Sequence, residues 1–392
     1  MLSETHLFNP TLTNEFRFGY NYGDFRFFQP VFNNQGLAAS LGFGGIPNGS
    51  LIGGGLPFGT IDGLSNYGPP QYYPNHKGEN IYEILDNVEK IHGNHSFKAG
   101  VELLSVRFPF YSPSGARGVY NYSGFFTSNP GKSFTGYGAA DFLEDQMTNA
   151  SINTAVQLDM SRWYRAAYFQ DDWRATGRLT VNLGIRYEYF QPLKEISGQF
   201  ANFFMQANGP GKGTGTLTYP MSQRNTYLAP LFLALLEKSN IPIQYSRNPS
   251  LVSPQYLNFA PRIGFAYSLN EKTVVRAGFG LFYGGMENFS GNQELLNYPF
   301  QFSSTFPRAN VCKPGNCGTD GISIASGFSK YLANGLVNSV STPSFAGSQP
   351  NVKTPYTESF NLMLQRAFSP NLTASICFNT NTSKCRKGLH GL

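Results

Sequence analysis

At 392 residues the chain is long enough for one large β-domain or two ordinary domains, yet only 13% of it is charged, against roughly 25% in soluble domains. Glycine (43), proline (25) and aromatics (15%) fill the difference, a mixture that suits strands joined by loops. The net charge of +6 is scattered rather than gathered into a stripe, which excludes a nucleic-acid footprint, and no apolar run approaches the about 18 residues of a spanning helix: the longest, 228–236, contains Pro230.

The opening MLSETHLFNP has no basic n-region, apolar h-region or small-residue cleavage site, so no signal peptide is expected in this chain. A short strand is predicted at 4–8 and a longer one at 14–27. A long connection over 28–80 follows, with the glycine run LGFGGIPNGSLIGGGLPFG at 41–59. Glycines that cradle phosphate need a strand before them, a helix after them and usually Lys-Ser or Lys-Thr; lacking these, the run reads as a mobile extracellular loop.

Strands at 81–90 and 96–108 flank the turn HGNH. Two imidazoles, His92 and His95, bracket it, but no carboxylate or cysteine set accompanies them; the expectation is a hairpin with Gly93 and Asn94 at positive φ. After a connection at 109–133, strands are predicted at 134–144, 149–158 and 162–173. Asp171 and Asp172 resemble an acid–base doublet, but neighbours on a strand point to opposite faces, so they read as rim residues beside the turn ATG. In the next strand, 178–190, Leu179, Val181, Leu183, Ile185, Tyr187 and Tyr189 share one face, and Thr180, Asn182, Gly184, Arg186 and Glu188 the other.

The connection 191–257 contains TYLAPLFLALLEKSN at 226–240, predicted as a short amphipathic helix that stabilises the loop. Strands at 258–269 and 273–283 meet at NEK; those at 356–367 and 372–378 meet at SPN. Between the two pairs, 284–355 carries VCKPGNCG, in which Cys312 and Cys317 are candidates for a small loop disulfide; a zinc site lacks further ligands. Cys377 and Cys385 receive no functional reading.

Alternation alone permits either a sandwich, whose apolar rows meet a second sheet, or a membrane barrel, whose apolar rows meet lipid. Connection lengths decide for the barrel: when the chain direction is followed, every tight turn falls on one rim and every long loop on the other. The predicted strands also match or exceed the about 9 to 11 residues a tilted strand needs to cross hydrocarbon. Aromatics such as Trp163, Tyr164, Trp173, Tyr189, Phe190, Phe282 and Tyr283 gather at their ends.

The segments SETHLFNPTLTNEFRFGYNY, NVEKIHGNHSFKAGVEL, GAADFL, YRAAYFQDDWRATGRLTVNLGIRYEYFQP, NFAPRIGFAYSLNEKTVVRAGFGLFYG and TPYTESFNLMLQRAFSPNLT, in that order, resemble the barrel of Oar-like TonB-dependent transporters. That resemblance implies an all-β, antiparallel transmembrane barrel in a Gram-negative outer membrane, of about 22 strands around a plug. Roughly twelve strands are readable here, so residues 1–378 are expected to form a partial barrel and 379–392 an aberrant or truncated tail.

The implied function is import of an unidentified ligand, with the lipid bilayer as partner and the TonB complex as partner of the intact family member. No enzyme activity, cofactor, metal or nucleic acid is expected. Alternative readings are a passive porin-like channel and a secreted soluble β-protein such as an adhesin.

Overall fold

The computed structural model describes residues 1–111, 114–132, 135–155, 157–205, 215–284, 297–307, 322–333, 336–337 and 345–384. Ten long strands form the wall: β1 (Leu2–Asn9), β2 (Leu12–Phe27), β3 (Asn75–His92), β4 (His95–Tyr111), β5 (Leu158–Arg174), β6 (Leu179–Phe190), β7 (Phe259–Asn270), β8 (Thr273–Tyr283), β9 (Tyr356–Ser369) and β10 (Leu372–Lys384). Each pairs antiparallel with its sequence neighbours, and Lys194–Glu195 adds a short eleventh strand on β5. Among the described residues β1 and β10 are the edges of this sheet.

Five tight turns join the strands along one rim, and their chemistry is local. Asn9 Oδ1 accepts the Thr11 N–H at 3.0 Å, and Asn270 Oδ1 accepts the Lys272 N–H at 3.0 Å, so both side chains stand in for backbone acceptors. Gly93 supplies a φ of +58°; Asn94 is not in the left-handed region, so one positive φ and not two suffices for this hairpin. The opposite rim carries connections of tens of residues, the arrangement in which short turns face the periplasm and long loops the outside.

Register puts the apolar rows in one continuous band. Leu183 lies beside Ile263, Ile263 beside Phe279 and Phe279 beside Phe360. The band is uncovered: Ile185 is 49% exposed, Ile263 52% and Leu362 50%. In water each such half-exposed side chain forgoes about half of the roughly 1.5–3 kcal/mol that full burial gives, so over the whole band a second layer or lipid is required, and no second layer of described protein lies on this face. This is the outward face of a barrel wall.

Two expected wall strands lie elsewhere. Within 134–144 the segment GAADFL forms a helix, Gly138–Leu143, and Asn149–Ala155 is a strand of a separate four-stranded sheet. The helix follows from two alanines and a leucine, together with Asp141, whose buried carboxylate accepts the Phe126 and Thr127 N–H groups at 3.2 and 2.9 Å. Because an outgoing and a returning strand are lost together, the rim assignment of every turn is unchanged. At the other end, β10 continues past Phe378 to Lys384, Thr380 and Thr382 extending the row begun by Ile376 and Phe378.

Candidate functional site

The inward face of the wall is polar and internally paired. Arg186 on β6 bridges Glu102 on β4 and Glu188, the latter at 3.1 Å, while the Tyr164 hydroxyl donates to Glu188 at 2.6 Å. One turn-ward step away, Lys98 Nζ lies 3.1 Å from Asp172 and 3.8 Å from Glu89, and Gln170 donates to the same Asp172 at 2.9 Å. These charges are held by four adjacent strands, β3, β4, β5 and β6, because alternate residues of each project to this face. Toward β8 the wall becomes bare: Asn182, Gly184, Arg262, Gly264 and Gly278 line a shallow recess of about 240 Å³. A wet, amide-lined and partly cationic surface of this kind suits polar solutes or polypeptide backbone.

Above the wall, the four long loops fold into one lid. A single apolar cluster takes Ile61 from the first loop, Tyr120, Tyr122, Met147 and Ile152 from the second, Leu217, Tyr219, Phe232 and Leu236 from the third, and Tyr298, Phe300 and Phe328 from the fourth. Two small sheets frame it: Phe58–Ile61, Val119–Tyr122, Asn149–Ala155 and Gln301–Pro307 in one, Asn202–Phe204, Thr216–Pro220 and Ile243–Ser246 in the other. The predicted helix is present as Pro230–Lys238 and buries Phe232 and Leu236 in the cluster.

Polar staples close the lid between loops. Tyr219 donates to the Tyr298 carbonyl at 2.7 Å, and Asn297 donates to the Ala201 and Ala346 carbonyls at 2.6 and 2.7 Å. Asp145 accepts the Ile324 N–H at 2.8 Å; burial raises its carboxyl pKa above the ordinary value. Arg117, 4% exposed, donates to the Leu56 and Ile52 carbonyls, and burial lowers its guanidinium pKa.

The glycine run at 41–59 is packed into this lid rather than free. Gly44 N–H donates to the Ile324 carbonyl at 2.9 Å, and a Cβ at Gly44 would sit 1.9 Å from the Ala325 carbonyl oxygen, so the run serves close backbone approach. The lid is seated on the wall through a second cluster, where inward side chains Val106, Phe108, Leu158 and Met160 of β4 and β5 meet Phe200 and Leu251 of the third loop.

The residues singled out from sequence separate as their spacing requires. Asp171 points outward and pairs with His95 at 2.8 Å; Asp172 points inward into the Lys98 pair. His92 and His95 are cross-strand partners at the turn, and among the described residues no group of His, Cys, Asp and Glu is arranged to hold a metal. Cys312, Cys317 and Cys385 lie outside the described residues. Cys377 is a free, exposed thiol on the inward face beside Met363. Sequence reading missed the lid staples Arg117, Asp145 and Asn297, whose partners are distant loop carbonyls and amides with no local pattern. Among the described residues no helix is long and apolar enough to cross a membrane.

Comparison with known proteins adds a family match. The model of a family described as "Outer membrane beta barrel domain" matches residues 1–384. No curated protein matches the chain. Among solved structures, the outer membrane transporter YddB from Escherichia coli is similar at 11% identity and a TM-score of 0.43, over 96% of this chain and 38% of that one. The copper transporter OprC is similar at 10% identity and 0.37, over 95% and 36%. The ferric-catecholate import receptor Fiu from E. coli is similar at 11% and 0.35, over 96% and 39%. The chain thus spans less than two fifths of the length of each of these three structures.

Proposed function

The chain belongs to the family of outer membrane β-barrel domains, and from that premise we propose that it forms a section of wall and lid in a TonB-dependent importer. The single observation that carries the reading is the lid: the four described long loops share one core and are seated on the inward face of the wall. A pore for free diffusion gains nothing from a folded mass over its mouth, whereas a receptor that first captures a ligand from outside does. The paired charges and amide recess beneath the lid supply a polar inner surface along which such a ligand, or a plug-like polypeptide, is accommodated. On this reading the remaining strands, the plug and the TonB-contacting segment belong to the complete transporter, and residues 1–384 supply neither energy coupling nor catalysis.

The test is electrical. The chain reconstituted in planar bilayers with potassium chloride as the probe is expected to give no sustained ohmic current. A steady conductance independent of any energising complex overturns the importer reading in favour of a passive channel. Recovery of the folded chain in water without detergent overturns both.

A further inference from the structure

Arg117 is a buried charge that the lid leaves without a counter-charge. Glycine fixes the turn that carries it: Gly115 and Gly118 take φ of +78° and +93°, the Gly118 N–H donates to the Gly115 carbonyl at 2.9 Å, and the Gly115 N–H donates to the Gln71 carbonyl at 2.7 Å. The guanidinium is thereby presented to the first loop, where Nε donates to the Leu56 carbonyl at 3.2 Å and Nη1 to the Ile52 carbonyl at 3.1 Å. Both acceptors are neutral. Among the described residues Nη2 has no partner and Arg117 makes no ion pair, although only 4% of the residue is exposed.

Two further polar groups are buried beside it with nothing to bond. Tyr111, the last residue of β4, is 4% exposed and its hydroxyl has no hydrogen-bond partner. Its phenol and the guanidinium perturb each other's titration, so the two lie within electrostatic reach, and no carboxylate is among the groups whose charge acts on Arg117. Gln29, 2% exposed, joins the same carbonyl cluster: Nε2 donates to the Gly54 carbonyl at 2.6 Å and lies 3.5 Å from that of Ile52, while Oε1 has no donor. A guanidinium stays ionised in any protein setting, so drying it with neutral acceptors alone is unfavourable, and a dry hydroxyl and amide oxygen make matters worse. One small anion repairs all three.

We propose that Arg117 and Tyr111 form a buried site for a small inorganic oxyanion, hydrogen phosphate, that ties the first lid loop to the second. Arg117 Nη2 and the Tyr111 hydroxyl donate to its oxygens, and its own P–OH donates to Gln29 Oε1. Charge selects an anion, burial selects a small one, and the bare amide oxygen selects one that keeps a proton near neutral pH. Sulfate and chloride carry no such proton. The site is complete only while the two loops are closed on each other, so phosphate stabilises the closed lid. The inference rests on the packing of the lid and not on the import reading, so failure of either leaves the other standing.

The experiment follows hydrogen exchange of the detergent-solubilised chain over residues 52–58 and 114–119 as phosphate replaces chloride at constant pH and ionic strength. Exchange there is expected to slow saturably, by about elevenfold when phosphate stands at ten times its Kd, with the wall strands unmoved. Sulfate at the same ionic strength protects several-fold less. Tyr111→Phe removes a hydroxyl that bonds nothing in the unliganded lid, so it keeps the baseline exchange and weakens phosphate by about tenfold or more. Arg117→Gln abolishes the phosphate effect. Absence of protection in the unaltered chain overturns the proposal, as does equal protection by sulfate or an unchanged phosphate Kd in Tyr111→Phe. If Arg117→Gln does not close the lid, the anion comparison and Tyr111→Phe decide the matter alone.

Discussion

Arg117 holds the first and second loops together through two carbonyls, those of Leu56 and Ile52, from a nearly dry position. Its substitution leaves both acceptors without their donor, and each orphaned buried group costs about 1–3 kcal/mol. Arg117→Ala is therefore expected to weaken the lid by that order, seen as faster hydrogen exchange over residues 52–58 with the wall strands unaffected. Asp145 is a second test at this scale. Burial lifts its pKa above 3.8, although the Ile324 N–H and the Tyr122 hydroxyl hold it down in part; the Tyr67 and Tyr120 rings face it as well, with hydroxyls that burial keeps protonated. A carboxyl with a raised folded pKa binds its proton more tightly folded than unfolded. Lid stability is therefore highest below 3.8 with respect to this group and declines as pH rises from there through the raised folded pKa. Asp145→Asn removes that slope in a pH series of loop hydrogen exchange; an unchanged slope assigns it to another group.

At the scale of elements, the wall strands divide into two faces with opposite tolerance. Ile263 faces outward at 52% exposure and its neighbour Gly264 faces the lumen with ordinary contacts, the nearest atom to an added Cβ lying 3.6 Å away. Ile263→Arg is expected to cost about 2–4 kcal/mol near the bilayer midplane, whereas Gly264→Ala is close to neutral. Chemical unfolding in liposomes measures both, and equal effects would contradict the assignment of faces. The same division explains what could be read before any coordinates: ten wall strands announce themselves because period-two alternation is local and uninterrupted, as from Leu179 to Phe190. The lid does not. Its strands are short, such as Asn202–Phe204 and Phe58–Ile61, and their partners lie in other loops, so no window of sequence contains the pattern. The 134–144 segment misleads for a related reason: spaced aromatics and glycines mimic alternation, while the helix there is settled by a carboxylate reaching back to residues 126 and 127. The inward charge pairs are half-visible: Lys98, Glu102, Asp172 and Arg186 are legible as polar-face residues, but which of them meet depends on register between strands up to 84 residues apart.

For the whole molecule, the lid is one cooperative body rather than four independent loops. Tyr298 shows why: its ring stacks on Phe232 at 3.9 Å, its carbonyl accepts from Tyr219, and its hydroxyl accepts the Ala229 N–H at 2.9 Å. Tyr298→Ala is expected to cost about 3–5 kcal/mol and to raise exchange together in the second, third and fourth loops. Loss of protection confined to the fourth loop would show that the shared core is not the unit of stability. Among the described residues the apolar seat of this body on the wall is the contact of Phe200 and Leu251 with inward side chains of β4 and β5. On the importer reading, a body seated there is expected to lift first on the far side, toward β8 and β9, where Leu257, Tyr283, Lys353 and Tyr356 border a hollow of about 420 Å³. On the importer reading, a ligand admitted on that side is expected to meet the bare, glycine-lined stretch of the inward face rather than the stretch held by carboxylate and guanidinium pairs.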